Sequence, residues 1–269
     1  MLMRRAPGFV FAALLVAATG VAARVSAVGQ SAPTTPASQV PSAQAPAQPP
    51  AQGSGGRATA PPGPVTPPGP PVQVPAEKKE GGYTTLFNRK DLTDWKIGGA
   101  EASFKVQDGA IVANGLSGGA HLYYDGPFKN HTFSNFDLKL DVMAKNRSNG
   151  GIYVMTDFQP TGFPTKGFEI QLNNSHTDRA RTGSLYHVVD LSTIPAKDDE
   201  WFPMQIVARN GTITVFLKGE QVLQWKQPAD WTTNYDTAER KIRPGTIAFQ
   251  AHDPNSFTYY TNVRLKSFD

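Results

Sequence analysis

Apolar and polar residues alternate with a period of two through most of the chain after Tyr83, the signature of strands with one buried face. Phe136, Leu138, Leu140 and Val142 interleave with Asp137, Lys139 and Asp141, which predicts a strand with one face in the core and one in water. Residues 204–209 and 212–217 flank Asn210-Gly211, the strongest two-residue hairpin signal. Residues 106–112 are expected to turn at Asp108-Gly109, and Lys218-Gly219-Glu220 to turn into the strand Val222 to Trp225. About a dozen short strands and no helix are expected in all. Such a run predicts an all-β fold, a two-sheet antiparallel sandwich of the jelly-roll type. Segments 157–167 and 190–200, with Pro160, Pro164 and Pro195, read as loops able to rim a cleft.

The most informative strand is Gly167 to Asn174, Gly-Phe-Glu-Ile-Gln-Leu-Asn-Asn. Phe168, Ile170 and Leu172 point one way, while Glu169, Gln171 and Asn173 point the other. Solvated strand faces usually carry Lys, Thr and mixed charges; a carboxylate beside amides is a set that grips hydroxyls. Near the end of the chain, Gly245 to Asp253 repeats the alternation and puts Gln250 and His252 on one face. These two rows are where function is expected.

Before Tyr83 the pattern vanishes. Arg4 and Arg5 precede an apolar stretch from Phe9 to Ala18, followed by Val21-Ala22-Ala23 and Val25-Ser26-Ala27 as alternative cleavage sites. This reads as an export signal over 1–27, with an uncleaved anchor as the rival reading; the run is shorter than the ~20 residues that span a bilayer, so cleavage is expected, and no membrane insertion after it. Residues 28–82 are rich in Ala, Pro, Gln, Ser, Thr and Gly, with 14 prolines between Pro33 and Pro75. Too little apolar surface is available there to offset the ordering entropy, so a disordered spacer is expected. The folded domain is expected over 83–269, and the protein is expected in the periplasm or outside the cell.

The formal charge of +4 belongs to the tail. Residues 1–80 hold six basic and two acidic residues of the chain's 26 and 22, leaving 20 of each sign in the rest. A neutral domain lacks the electrostatic footprint of a nucleic-acid binder, and no nucleic acid is expected as partner. Cysteine is absent, which excludes disulfides, thiolate metal sites and a lipid-anchored cysteine. No pattern speaks to oligomeric state.

The chain has no Gly-rich phosphate loop and no His-Glu-x-x-His. A Gly-x-Ser-x-Gly elbow is not expected either. Its histidines (His121, His131, His176, His187, His252) are too scattered for a metal motif. An ordinary glycosidase needs two carboxylates about 5–10 Å apart, and the positions after Glu169 on its face are Gln171 and Asn173. Asp157 or Asp190 would have to approach from a neighbouring strand or loop. Glu169 is the leading catalytic candidate; the competing reading is an exposed strand carboxylate. His252 is the second, against a structural histidine at a strand end. Gln171, Asn173 and Gln250 are candidates for binding sugar hydroxyls. Tyr186, after Thr182-Gly183-Ser184, offers a phenol or a stacking ring, or else core packing. His176 and Asn149 (in Asn149-Gly150-Gly151) are binding candidates that also suit plain turns.

Several segments in order resemble one family, the 3-keto-disaccharide hydrolase domain. They are residues 86–95 (Leu-Phe-Asn-Arg-Lys-Asp-Leu-Thr-Asp-Trp), 104–109 (Phe-Lys-Val-Gln-Asp-Gly), 136–138, 149–153 (Asn-Gly-Gly-Ile-Tyr), 167–171, 182–186, 250–252 and 262–265. The resemblance runs from about Tyr83 to the C-terminus and implies a concanavalin-like jelly roll. It also implies 3-keto-glucoside 1,2-lyase activity with hydration of the 3-keto-2-hydroxyglucal formed, on a small carbohydrate substrate. A C3 ketone acidifies the C2 proton, so one base and one acid suffice to eliminate the C1 substituent. Glu169 and His252 would share those roles, in an order the sequence leaves open. No cofactor is established; a divalent metal on Glu169 or His252 is an open alternative for holding the enolate. A non-catalytic carbohydrate-binding module of the same fold is the alternative function. The chain departs from the family pattern at Met155 and Thr261, where the resemblance implies arginine.

Overall fold

The computed structural model describes residues 73–116, 118–232 and 238–269. The expected leader (1–27) and residues 28–72 of the expected spacer lie outside these. Among the described residues, regular structure consists of thirteen strands and two short 3-10 turns, Glu101–Ser103 and Phe128–His131. In chain order the strands are β1 (Thr84–Thr85), β2 (Trp95–Gly98), β3 (Phe104–Gln107), β4 (Ala110–Asn114), β5 (Ala120–Tyr124), β6 (Phe136–Ala144) and β7 (Gly150–Thr156). They continue as β8 (Phe168–Leu172), β9 (Phe202–Arg209), β10 (Thr212–Leu217), β11 (Glu220–Lys226), β12 (Thr246–Ala251) and β13 (Phe257–Ser267). Two antiparallel sheets result. The larger runs β11-β10-β9-β6-β13-β4-β3 with β1 also on β13, and the smaller runs β2-β5-β12-β7-β8. This is the concanavalin-like jelly-roll sandwich.

The turns follow from local chemistry. Asp108-Gly109, Asn210-Gly211 and Lys218-Gly219 each place both residues at positive φ, the two-residue geometry that matches strand twist. Sequence-adjacent strands therefore pair as hairpins, β3 with β4 and β9 with β10 with β11.

Between the sheets, Phe249 of β12 stacks on Tyr260 of β13 at 4.1 Å and on Trp95 of β2 at 5.1 Å. This aromatic column joins the layers, with Trp95 Nε1 donating to the Leu86 carbonyl at 3.1 Å. Phe168, Ile170 and Leu172 of β8, Ile152 and Val154 of β7, and Ile247 of β12 face the same core. By alternation, Glu169, Gln171, Tyr153, Ala248, Gln250, His121 and Tyr123 face outward from the smaller sheet. They are nonetheless buried, because loops fold back over this face.

Two features differ from the alternation. Met155 takes φ 59° where the register of β12 against β7 shifts between Thr246 and Ala248, and its side chain packs in the core. Asp141, on the expected wet face of β6, is only 2% exposed. A strap from the end of the expected spacer explains it. Lys78 Nζ donates to Asp141 Oδ1 at 2.7 Å and the Lys78 backbone N–H donates to Asn262 Oδ1 at 3.0 Å. Asn262 Nδ2 donates to Asp141 Oδ2 and to the Ala76 carbonyl, and Arg89 donates to the Pro75 carbonyl. Glu80 accepts from Lys139 and Arg264. The spacer assignment thus runs too far for residues 75–80, where charge pairing supplies the anchorage that apolar content does not.

The spelling Gly-x-Ser-x-Gly does occur at 115–119, but between β4 and β5, so no helix follows it.

Candidate active site

Outside the smaller sheet lies a cavity of about 250 Å³, lined by Asn149, Tyr153, Phe163, Glu169, Gln171, Tyr186, Arg240, Gln250 and His252. Adjacent antiparallel strands set its floor: Tyr153 of β7 pairs directly with Glu169 of β8, and Gly151 with Gln171. Gly151 is a packing requirement. A Cβ there would lie 2.3 Å from Glu169 Oε1 and 2.8 Å from its Cγ, so any larger residue displaces the carboxyl. Tyr153 Oη donates to Glu169 Oε2 at 2.7 Å, and Gln250 Nε2 reaches Tyr153 Oη at 3.4 Å. Gln171 Nε2 donates to Asn149 Oδ1 at 2.8 Å.

Glu169 is 4% exposed. Burial pushes its carboxyl up to about 7, against the Tyr153 hydrogen bond and the Arg240 and His252 charges, which favour the anion. At neutral pH such a group both takes and gives a proton readily. Burial, reinforced by the Glu169 charge, drives the Tyr153 phenol well above its ordinary value, so it stays a donor.

His252 follows the end of β12, its Nδ1 2.9 Å from Asp253 Oδ2. Its ring lies 6.0 Å from that of Phe163, which descends from the 157–167 loop. Behind it, His121 of β5 is buried, and burial with the nearby His252 charge lowers its imidazole to about 3. Gln159 holds the Phe163 loop, donating from Nε2 to the Thr161 and Phe163 carbonyls and accepting from Thr165.

Of the residues singled out in the sequence, Glu169, His252, Gln171, Tyr186, Gln250 and Asn149 line this one cavity. Asn173 and His176 do not. Asn173 is fully buried and holds its loop together, donating to the Asp178 and Ala180 carbonyls and accepting from the His176 N–H and Arg181. The strand ends at Leu172, so the alternation that put Asn173 beside Glu169 stops short of it. His176 borders a neighbouring polar hollow with Asn146, Arg147, Asp253 and Asn255, its ring 6.4 Å from that of His252. Segment 190–200, expected at the rim, contributes no lining residue, whereas 157–167 contributes Phe163.

Tyr153, Phe163 and Arg240 were not legible as site residues. Tyr153 sits in a plain Ile-Tyr-Val run whose register against Glu169 is invisible in one strand. Arg240 arrives from a segment with no pattern and brings a guanidinium to the cavity lining. Met155 faces the core, and Thr261 Oγ1 donates to the Gly109 carbonyl in the larger sheet. Neither of these two lines the cavity.

A divalent ion would find one carboxylate and one imidazole here. Among the described residues no group of three or more His, Asp or Glu side chains is placed to hold a metal. Among them, too, no helix is long and apolar enough to cross a membrane.

The family model for the 3-keto-alpha-glucoside-1,2-lyase-like domain matches residues 82–266. Two crystal structures of candidate glycosyl hydrolases from Parabacteroides distasonis share the fold. One is 23% identical over 70% of this chain and 95% of its own, with a TM-score of 0.59. The other is 19% identical over 69% and 99%, with a TM-score of 0.54. No curated protein matches.

Proposed function

The chain belongs to the 3-keto-alpha-glucoside-1,2-lyase-like domain family, and we propose that it is an exported enzyme cleaving 3-keto-glycosides by elimination. The observation that carries this reading is the cavity's polar inventory. Glu169 is the one carboxylate among its described lining residues, beside an imidazole, a cation and three amides. Among the described lining residues, two-carboxylate glycoside hydrolysis finds no second acid. Elimination needs none.

In the proposed step a base removes the proton from C2, and its electron pair moves toward the C3 carbonyl as an enolate. The enolate then forms the C1–C2 double bond as the C1–O bond breaks, and the departing oxygen takes a proton from the acid. Glu169 and His252 supply base and acid. Arg240 favours negative charge on the sugar while it develops, and the Tyr153 phenol, which donates to Glu169, holds that carboxyl in place. Gln171, Asn149, Gln250 and Tyr186 hold hydroxyls, and Phe163 covers the ring. Later addition of water to the unsaturated product would complete a net hydrolysis.

The test is to give the full chain a chromogenic 3-keto-glucoside and, separately, the parent glucoside. Turnover of the keto form alone is expected, falling about 10²–10⁴-fold in Glu169→Gln, the usual contribution of an acid–base group. Turnover of the parent glucoside would contradict the reading. Binding of the keto form without turnover would favour a carbohydrate-binding module instead.

A further inference from the structure

The chain just past β12 contains a hydrogen-bonded relay whose middle members, Asp253 and Ser256, have no part in the proposed reaction. Asp253 Oδ2 stands 2.9 Å from His252 Nδ1 and accepts from Ser256 Oγ at 2.7 Å, while its Oδ1 accepts from the Asn255 N–H at 2.9 Å. Ser256 Oγ also accepts the Asn149 N–H at 2.8 Å, and Asn149 Oδ1 accepts from Gln171 Nε2. The relay therefore runs from His252 through Asp253, Ser256 and Asn149 to Gln171 on the cavity floor.

Neighbouring residues on a strand point to opposite faces, so His252 and Asp253 could not meet if β12 continued. It stops at Ala251. The chain then turns, with the Ser256 N–H donating to the Asp253 carbonyl. The 115–119 loop clamps this turn: Gly115 N–H donates to the Asp253 carbonyl and Gly119 N–H to the His252 carbonyl. Gly115 presses so close that a Cβ there would lie 2.4 Å from the Asp253 nitrogen. The pairing is built by backbone on both sides, unlike a chance surface contact.

A carboxylate can only accept, so at Nδ1 it requires a proton. Neutral His252 then carries its hydrogen on Nδ1 and presents a bare Nε2 as acceptor. We infer that Asp253 is a positioning residue that fixes the tautomer of His252, making His252 Nε2 the base for the C2 proton and leaving Glu169 as the acid. The assignment of base and acid rests on the proposed elimination; the tautomer does not. In the elimination the C2 proton passes to Nε2, and the resulting imidazolium is held by Asp253. The proton on Glu169 goes to the departing C1 oxygen. Among the described residues, the charged and titratable groups around His252 include Asp253 beside it, Glu169 from β8, Tyr153 from β7, Tyr186 and Arg240 from their loops, His121 from β5, and His176 and Arg147 across the adjoining hollow.

Nitrogen-15 NMR of the full chain at alkaline pH reads the His252 tautomer directly, without any variant of Asp253; His252→Gln assigns the signal. Nδ1–H is expected, and Nε2–H as the main neutral form would overturn the inference. Asp253→Asn, whose amide can donate to Nδ1, is expected to shift the population toward Nε2–H. It should cut kcat on the 3-keto-glucoside about 100-fold or more with KM changed less than threefold, as for a lost general base. Asp253→Glu should recover part of that loss. An active enzyme indifferent to Asp253→Asn would refute positioning while sparing the lyase reading. Inactivity of the unmodified chain with Nδ1–H observed would do the reverse.

Discussion

At Glu169 the chain accepts a standing cost. Its carboxyl is raised from 4.5 to about 7 chiefly by burial. The folded state therefore holds a proton that the unfolded state has released across this interval, so stability falls as pH rises from about 4.5 to about 7 and is level above. A rise of that size corresponds to about 3 kcal/mol. Glutamine carries no such penalty. Denaturant unfolding of Glu169→Gln should show a gain over the unmodified chain that is small near pH 4.5 and grows toward about 3 kcal/mol by pH 8, on the same linkage. A difference independent of pH would mean that folding does not shift the carboxyl's titration. Side-chain identity was legible at this scale, because a Glu-Gln pair on one strand face is an unusual thing to solvate. Asn173 shows where that legibility ends: period two held only as long as the strand did.

The strap at 75–80 is the element whose role composition concealed. Proline and alanine content places it in a spacer, while its anchoring groups are single charged residues that no periodicity marks. Lys78 is 45% exposed in its side chain whereas Asp141 is 3%, so the pair is worth less than a buried one, and Asn262 still serves Asp141 when the strap is gone. A chain starting at Tyr83 should unfold about 1–2 kcal/mol more easily than one starting at Gln73. Equal stabilities would show the strap to be passive. The hairpins, by contrast, were readable because a two-residue turn and its flanking alternation are both local. Non-local pairing was not: β12 lies between β5 and β7, and nothing in residues 245–253 announces those partners.

Across the whole molecule, the sandwich supplies a rigid wall and the loops supply enclosure. β5, β12, β7 and β8 bring residues 121, 250, 153 and 169 onto one face, and the 157–167 loop brings Phe163 over it. The sheet face was predictable from alternation; the roof was not, because Phe163 and Arg240 reach the cavity through tertiary packing alone. This division explains how a sequence with scattered histidines and no catalytic motif yields a polar cavity that gathers Glu169 and His252. It also separates the two ways of breaking a glycosidic bond, since displacement at C1 leaves C2 untouched and elimination does not.

That difference is read most directly by the C2-deuterium isotope effect on turnover of a 3-keto-glucoside by the full chain, with the C1 leaving group held constant. Elimination through C2 predicts a primary effect on kcat/KM, together with a product unsaturated between C1 and C2 or its hydrate. Turnover at an unchanged rate with deuterium retained at C2 would contradict the account.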